Sequence, residues 1–450
     1  MKRRLPAHEE IRRTLIRGDT GPILALAGEL HTADLAHYLS ELPSGEAAHA
    51  LTALPVGRQA EVLGYVPLHY QLALVKELGA KRLGPIMNLM SHDDRADLLK
   101  ALPEDFRYDV LHSMAKAERE DIIMLGSYPE GSAGSIMTSD YAVLYPELTA
   151  WDSVASLRAE APEKETIDRA FVVDPGRRLM GTVKFQALVF AKPGTLVREL
   201  MEGLTHAVRA DDSAEHAARQ IARYDIPALP VVDGENRLVG IITHDDAMDV
   251  LQAEATEDFH KAGTIGKLPG NVRTASPWLL YRKRVVWLVL LVFGNIFSGA
   301  GIAYFEETIA AFVTLVFFLP LLIDSSGNAG SQAATLMIRA LATGDVEARD
   351  WGRMLGREFL TALALGVTMA AAVSLIGFAR GGPEIALVVS LAMMAVVVIG
   401  SVFGMSLPFL LSRLKMDPAA ASTPLITSVA DVLGIIIYFF IANAFLMRGA

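Results

Sequence analysis

The sequence predicts a multidomain membrane protein: an α-helical N domain, a duplicated α/β module, an amphipathic connecting helix and a five-helix transmembrane domain. Three observations predict it. Charge is split, with 41 acidic and 29 basic side chains in residues 1–270, a net of −12, and 10 acidic and 12 basic in residues 271–450, a net of +2. Long apolar runs crowd into the second part. Between residues 131 and 249 a strand–turn–strand pattern recurs, with Val172-Val173-Asp174 then Gly181 matched by Val231-Val232-Asp233 then Gly240, 59 residues later.

Residues 1–130 carry Leu and Ala at helical spacing and few β-branched runs. Leu42-Pro43, Leu54-Pro55, Val66-Pro67 and Leu102-Pro103 mark helix ends, because proline cannot continue a helix. A stacked array of short helices is expected.

The repeat over 131–249 gives each copy an apolar strand, a polar turn, a second strand and a helix. Ser135-Ile136-Met137-Thr138 and Glu199-Leu200-Met201-Glu202 add a looser upstream match. The pattern resembles a tandem CBS pair. In the second copy Gly240-Ile241-Ile242-Thr243-His244-Asp245-Asp246 is close to that family's nucleotide-contact pattern, so Thr243 and Asp246 are candidates for nucleotide contact. The first copy, Gly181-Thr182-Val183-Lys184-Phe185-Gln186-Ala187, lacks the Thr and the Asp. One nucleotide site, or a purely structural pair, fits equally well.

Residues 246–260 contain no Gly or Pro and are rich in Ala and Glu, which favours a helix. Glu254, Glu257 and Asp258 share one face; Asp246, Asp249 and Glu257 fall near a second. Like charges this close repel unless a cation neutralises them. A solvated acidic face is the plain alternative. This connecting helix is assigned to 250–280 and leads into the membrane part.

Val285 to Phe305 is free of charge over 21 residues, about 31 Å of helix against a hydrocarbon core of ~30 Å. Further spans are expected at 308–338 (interrupted), 359–379, 385–411 and 421–447. Arg282, Lys283 and Arg284 precede the first span, Arg339, Arg349, Arg353 and Arg357 lie between the second and third, and Arg413 and Lys415 between the fourth and fifth. Basic residues favour the cytoplasmic side, so the N-terminus is expected there and the C-terminus outside. The opening MKRRLPAHEE has no apolar core of a signal peptide.

Ionisable residues inside a span are costly and tend to be functional. The fifth span holds Asp431, with Thr427 and Ser428 one turn before it, Pro424 seven residues before it and Gly434 after it. No Lys or Arg stands in the spans to neutralise Asp431, so it is expected to face a wet, cation-accepting interior. The second span contains Asp324-Ser325-Ser326-Gly327-Asn328-Ala329-Gly330-Ser331-Gln332. Such a run is expected to break the helix where it lines a cavity.

On these motifs the chain resembles the MgtE family of magnesium transporters and channels. The match rests on Pro320 through Gly327-Asn328-Ala329-Gly330-Ser331-Gln332, Ile338-Arg339-Ala340-Leu341-Ala342, Glu254-Ala255-Thr256-Glu257-Asp258-Phe259-His260-Lys261, and Pro424 with Asp431. The resemblance implies a homodimer with one pore, importing Mg²⁺ down its electrochemical gradient and closed by cytoplasmic Mg²⁺. It implies Asp431 as the pore carboxylate, with Thr427, Ser428, Pro424, Gly327 and Asn328 around the path. It also implies Glu61, Asp93, Asp97, Glu215, Asp225, Asp246, Asp249, Glu254, Glu257 and Asp258 as regulatory Mg²⁺ ligands. ATP at the CBS pair is a further expected ligand. Two departures touch the pore: Thr423 stands where the family often has Asn, and Ser326 where it has Gly.

Other classes fit less well. Zero cysteine removes disulfides, thiolate metal sites and cysteine nucleophiles. A net charge of −10 opposes nucleic-acid binding. The 11 His are scattered, and no P-loop or Gly-x-Ser-x-Gly is present, so no enzyme is expected. A CBS-regulated membrane sensor would need no polar span. A carrier of another divalent ion such as Co²⁺ remains an alternative. Oxygen ligands without thiolates suit Mg²⁺, which keeps its waters and prefers octahedral oxygen geometry.

Overall fold

The computed structural model describes residues 8–114, 116–160, 166–203, 206–263, 265–266 and 275–447. The chain forms two compact units, Met1–Glu254 and Ala255–Ala450.

The first unit begins with ten short helices among the described residues: α1 (His8–Arg17), α2 (Thr20–Glu29), α3 (Thr32–Ser40), α4 (Ser44–Thr52), α5 (Val56–Gly64), α6 (Leu68–Leu78), α7 (Ala80–Met87), α8 (His92–Ala101), α9 (Glu104–Ser113) and α10 (Lys116–Gly126). The prolines start helices as much as they end them. Pro43, Pro55, Pro67 and Pro103 each stand immediately before α4, α5, α6 and α9, where the missing N–H costs nothing. Leucines such as Leu35, Leu51, Leu63 and Leu74 fill one continuous core. A stack of this kind buries each helix against its neighbours, so helices of 8 to 11 residues, marginal alone, are held by packing.

The duplicated module follows: β1 (Tyr141–Leu144), α11 (Ala150–Glu160), β2 (Thr166–Val173), β3 (Leu179–Lys184), α12 (Phe185–Phe190), α13 (Val197–Leu200), β4 (Glu202–Gly203), β5 (Val208–Arg209), α14 (Ala214–Tyr224), β6 (Ala228–Val232), β7 (Leu238–Thr243) and α15 (His244–Ala262). Sheet order is β1-β2-β3-β4 and β5-β6-β7. The 59-residue offset extends to fine detail. Val172 pairs Gly181 as Val231 pairs Gly240, and each hairpin has a register shift at the next pair. Arg177 (φ 63) and Asn236 (φ 61) hold equivalent left-handed turn positions.

The two copies are laced together. Thr138, upstream of the first copy, bridges Ile241 of the second, while β4, upstream of the second, pairs β3 of the first. Both glycines of the repeat follow from this exchange. A Cβ on Gly181 would meet the Glu202 carbonyl oxygen at 2.5 Å, and one on Gly240 would overlap the Met137 sulfur. The core between the sheets holds Phe171, Val173, Leu179, Val232, Leu238 and Ile241.

The connecting helix differs from the expected 250–280. It is α15, and it stops at Ala262: Gly263 follows, its N–H bonding Phe259 O at 3.2 Å while Ile265 N–H returns to His260 O at 2.8 Å, a closed helix end. Residues 264 and 267–274 of that assignment lie outside the described residues, and from Pro277 the chain is already α16.

The second unit holds α16 (Pro277–Tyr304), α17 (Glu306–Ala311), α18 (Thr314–Ala342), α19 (Trp351–Arg413) and α20 (Thr423–Ala442). Among the described residues three helical stretches are long and apolar enough to cross a membrane: 277–304, 348–413 and 423–447. The second turns back on itself at Gly382 (φ 79, ψ −172), a conformation open to glycine. Ser390 Oγ then bonds Ala370 O at 3.3 Å, and a Cβ on Gly377 would meet Ala386 Cα at 2.8 Å. The arms 351–381 and 383–413 therefore run antiparallel.

The expected break in the second span is not there. α18 is continuous for 29 residues through the polar run, with Pro320 inside it; the chain breaks earlier, between α17 and α18. Two physical facts keep it helical. Ser325 Oγ donates to Leu321 O at 2.6 Å and Thr335 Oγ1 to Ser331 O at 2.8 Å, so hydroxyls are satisfied on the helix itself. The small residues also serve packing: Ser326 Oγ donates to Val396 O at 3.0 Å, and a Cβ on Gly330 would lie 2.8 Å from Gly400 O. Backbones touch here because the side chains are small, as in other helix pairs in membranes.

Candidate functional site

α18 meets α20 along the polar run. Ser331 Oγ lies 3.4 Å from Thr427 Oγ1. A Cβ on Gly327 would be 2.9 Å from Thr427 Cγ2, and one on Gly434 would be 3.8 Å from Ser326 Cβ. Nearer the other end Tyr438 Oη donates to Leu315 O at 2.9 Å. Contacts therefore descend α18 as they ascend α20: the helices are antiparallel. Asn328 Nδ2 donates to Asp324 Oδ2 at 3.0 Å, one turn along α18. Pro424 sits in the first turn of α20, so it costs no hydrogen bond. Asp431 Oδ1 is buried without a hydrogen-bond partner, and Asp324 lies within electrostatic reach of it. Of the expected pore residues, Gly327 and Thr427 meet across this seam; Asn328 is exposed and bonds Asp324 along α18, and Ser428 is half-buried. Asp324 and Ser331 were not selected from sequence, although both stood in the polar run.

The expected regulatory acids divide. Asp93, in the first turn of α8, meets Asp246 of α15. Burial, then the charge of Asp93, push the Asp246 carboxyl up to about 8, while Thr243 Oγ1 donates to Asp246 Oδ2 at 2.6 Å. Two carboxyl groups in hydrogen-bond contact must share a proton or a cation. Burial also raises Asp249, with help from Asp245, and raises Asp97, with help from Glu130 against Lys100. Other expected ligands hold partners of their own. Glu61 pairs Arg58 at 2.7 Å and accepts from Thr32 at 3.3 Å, and Glu215 pairs Arg219. Asp225 is the left-handed cap of α14. In the second unit Glu257 pairs Lys261 at 2.9 Å, and Lys261 reaches Asp417 at 2.6 Å; burial would lower Lys261, but these two carboxylates raise it. Glu254 and Asp258 lie on α15. Among the described residues no group of three or more His, Asp or Glu is arranged to hold a metal ion; of the expected ligands, Asp93 and Asp246 stand in contact.

Beside this pair lies a half-buried ion network that sequence reasoning missed. His92 Nδ1 is 2.7 Å from Asp121 Oδ2 and its Nε2 2.8 Å from Asp140 Oδ2. Fully buried Arg95 stands 3.6 Å from Asp121. Burial alone would lower His92, but its bonds to Asp121 and Asp140 win and push it up to about 9. A lone His at the start of an ordinary helix gives no signal of this; only the fold brings residues 92, 121 and 140 together.

The module carries a cavity of about 390 Å³ lined by Thr166, Asp168, Asp225, Thr243, His244 and Asp245. A neighbouring one of about 460 Å³ shares Asp168 and adds Arg169, Lys184, Phe185 and Phe190. Of the expected nucleotide pair, Thr243 lines the first cavity and bonds Asp246, which also meets Asp93.

Three family models match the chain: "Divalent cation transporter" over 319–441, "MgtE intracellular N domain" over 30–131 and "CBS domain" over 197–253. The magnesium transporter MgtE of Thermus thermophilus is 40% identical over 364 residues, 79% of this chain and 80% of that protein. The chain belongs to the MgtE family. The MgtE of Bacillus subtilis is 34% identical over 380 residues, 84% of this chain and 83% of that one. A crystal structure of the cytosolic domain of the Mg²⁺ channel MgtE in complex with ATP matches with TM-score 0.51 and 36% identity, covering 54% of this chain and 99% of that one. The chain is therefore a magnesium transporter of the MgtE family and not an enzyme. It is a multidomain membrane protein with a helical N domain, a CBS pair and a helical C-terminal region.

Proposed function

We propose that this MgtE-family chain imports Mg²⁺ down its electrochemical gradient through a path between α18 and α20, and that Mg²⁺ bound to its cytoplasmic acids closes that path. The observation that carries the pore assignment is the buried, unpartnered Asp431 Oδ1 on a helix seam of hydroxyls and small residues. A carboxylate at membrane depth is costly without a counter-charge, and a passing cation supplies one. Mg²⁺ sheds water reluctantly, so Asp431, Thr427 and Ser428 act on a hydrated ion.

The working form is a homodimer. α16 has no buried residue within one chain, which leaves its surface for lipid or for the second copy. The functional division is 1–130, the helical N domain; 131–249, the CBS pair; 250–280, the connecting segment; and 281–450, the membrane domain of five helices. The parallel run of α18 with the 383–413 arm, and its antiparallel run with α20, support alternating crossings, with the N-terminus cytoplasmic and the C-terminus outside.

Closure follows from the acids. Mg²⁺ between Asp93 and Asp246 removes a repulsion that otherwise opposes their approach. Asp97, Asp249, Glu254 and Asp258 add carboxylates whose repulsion the same ion screens. The ion shifts the equilibrium only by its preference for the closed form. Lys261 already ties α15 to Asp417 in the loop before α20, so a change in α15 reaches the membrane domain. ATP at the CBS cavities is supported by the ATP-bound relative; Asp168, Asp225 and Asp245 there would repel a bare triphosphate, so ATP with Mg²⁺ is the form expected.

The test is flux. In vesicles holding the full-length protein, Asp431→Ala should abolish Mg²⁺ uptake while the protein stays folded and monodisperse. Uptake at the normal rate would sink the pore assignment.

A further inference from the structure

We infer that Asp324 is a second ion-path carboxylate, one turn from Asn328 on α18, and that it sets the preference of the path for divalent over monovalent cations. The inference rests on the pore reading of Asp431 and extends it to a residue on another helix.

Four observations carry it. Asp324, Asn328, Ser331 and Thr335 follow one another at helical spacing on α18, so they form one polar stripe. The stripe contacts α20 where Ser331 meets Thr427 at 3.4 Å. From that contact the helices run antiparallel, as Tyr438 bonding Leu315 O at 2.9 Å shows; moving one turn up α20 to Asp431 moves one to two turns back along α18, to the level of 324–327. Asp324 is accordingly the other carboxylate whose charge acts on Asp431. Finally, Asp324 forms no ion pair among the described residues. Asn328 Nδ2 donates to it at 3.0 Å, which orients the carboxylate without neutralising it. Its side chain is exposed on the single chain, within a helix whose flanks are Leu, Ile and Phe. An exposed, unneutralised carboxylate at that depth belongs against water and ions and not against lipid.

The physical consequence concerns charge. One carboxylate per chain attracts any cation. Two at one level double the attraction, and a divalent ion gains twice what a monovalent ion gains. The second carboxylate therefore contributes more to discrimination than to passage. Asn328 is a positioning residue in this scheme, holding Asp324 toward the seam.

The test uses full-length protein in vesicles, with Mg²⁺ titrated outside and Na⁺ uptake followed in parallel. Asp324→Asn keeps the size and the bond to Asn328 but removes the charge. It should raise half-saturating Mg²⁺ on the order of 10-fold, change maximal uptake less, and let Na⁺ through; Asp324→Glu should restore both. An unchanged half-saturation and unchanged Na⁺ exclusion in Asp324→Asn would overturn the inference, as would Asp324→Glu behaving like Asp324→Asn. Asp431→Asn is run beside them: normal uptake there refutes the pore reading itself, separately from Asp324. Should Asp324→Asn fail to fold, Asp324→Cys provides the readout, because the natural chain has no cysteine. A cationic thiol reagent should modify it from water, and Mg²⁺ alone should slow that reaction. No modification, or no protection by Mg²⁺, overturns the assignment.

Discussion

Replacing Asp246 by Asn should stabilise the protein when Mg²⁺ is absent and blunt its response when Mg²⁺ is present. Asp246 sits against Asp93, and its carboxyl is raised from 3.8 to about 8, by burial first and by Asp93 second. An acid raised on folding is harder to ionise in the native state than in the unfolded chain. The cost is therefore absent below about pH 4, grows as pH rises toward 8, and stays constant above. At pH 7 the gap is about three pH units, or about 4 kcal/mol at 1.36 kcal/mol per unit. Solvent screening brings that to about 2–4 kcal/mol. Asn keeps the shape and can donate to Asp93 as the protonated acid does, but never ionises. For a unit of this size each kcal/mol moves Tm by about 2–4 °C, so Asp246→Asn should raise Tm by about 5–15 °C in EDTA at pH 7. The difference from wild type should vanish near pH 4. Mg²⁺ should raise the wild-type Tm and release close to one proton per chain, and should do less of both in the variant. Melting curves of the full-length protein in detergent, with and without Mg²⁺, measure this. An unchanged or lower Tm in EDTA, or equal stabilisation of both proteins by Mg²⁺, would refute the reasoning.

Two further outcomes follow from the same structure. His92→Gln removes an imidazolium whose pKa, pushed up to about 9 by Asp121 and Asp140, lies above its unfolded 6.5; its contribution is full below pH 6.5 and is lost as pH rises through 9, so the variant should melt lower by about 2–3 kcal/mol at pH 6 and match wild type above pH 9, as thermal melts across pH will show. Gly404→Ala places a Cβ against the Gly330 carbonyl oxygen, whereas Gly352→Ala meets nothing within 4 Å; the first should cost about 1–3 kcal/mol or more of stability and the second almost none, read as the midpoint of detergent-induced unfolding.

Much of the fold was legible because periodicity and repetition survive folding. The Val172–Gly181 and Val231–Gly240 matches were visible at a fixed offset, and they return as equal pairings with equal bulges. The prolines of the N domain were visible as helix boundaries, though not which side of the boundary they serve. The polar run of α18 was misread because hydropathy sums residues without regard to face. Ser326, Gly327 and Gly330 look hydrophilic in a window, yet all three are buried, where their size lets backbones meet. The candidate site was legible at Asp431, a lone acid in an apolar helix. Asp324 lay in plain view but was counted as part of a break, and a broken segment has no faces on which to place it. His92, Asp121 and Asp140 are 29 and 19 residues apart in sequence, and no local pattern joins them.

The carboxylates of this chain differ in one respect that spacing could not reveal, namely what stands beside each. Asp121 has His92 and Arg95, Glu61 has Arg58, Glu215 has Arg219, and Glu257 has Lys261. Each of these brings its own cation, so an added Mg²⁺ would have to displace a resident charge and would gain little. Asp246 has a hydroxyl and another carboxylate for neighbours, Asp324 has an amide, and Asp431 Oδ1 has no partner. An ion arriving there replaces repulsion or an unsatisfied atom, which is the larger gain. Equal acidity along the sequence thus conceals unequal surroundings in the fold. Neutralising Glu61 or Glu215 should change stability without moving the Mg²⁺ response, whereas that response should follow Asp246 in the first unit and Asp324 with Asp431 in the second.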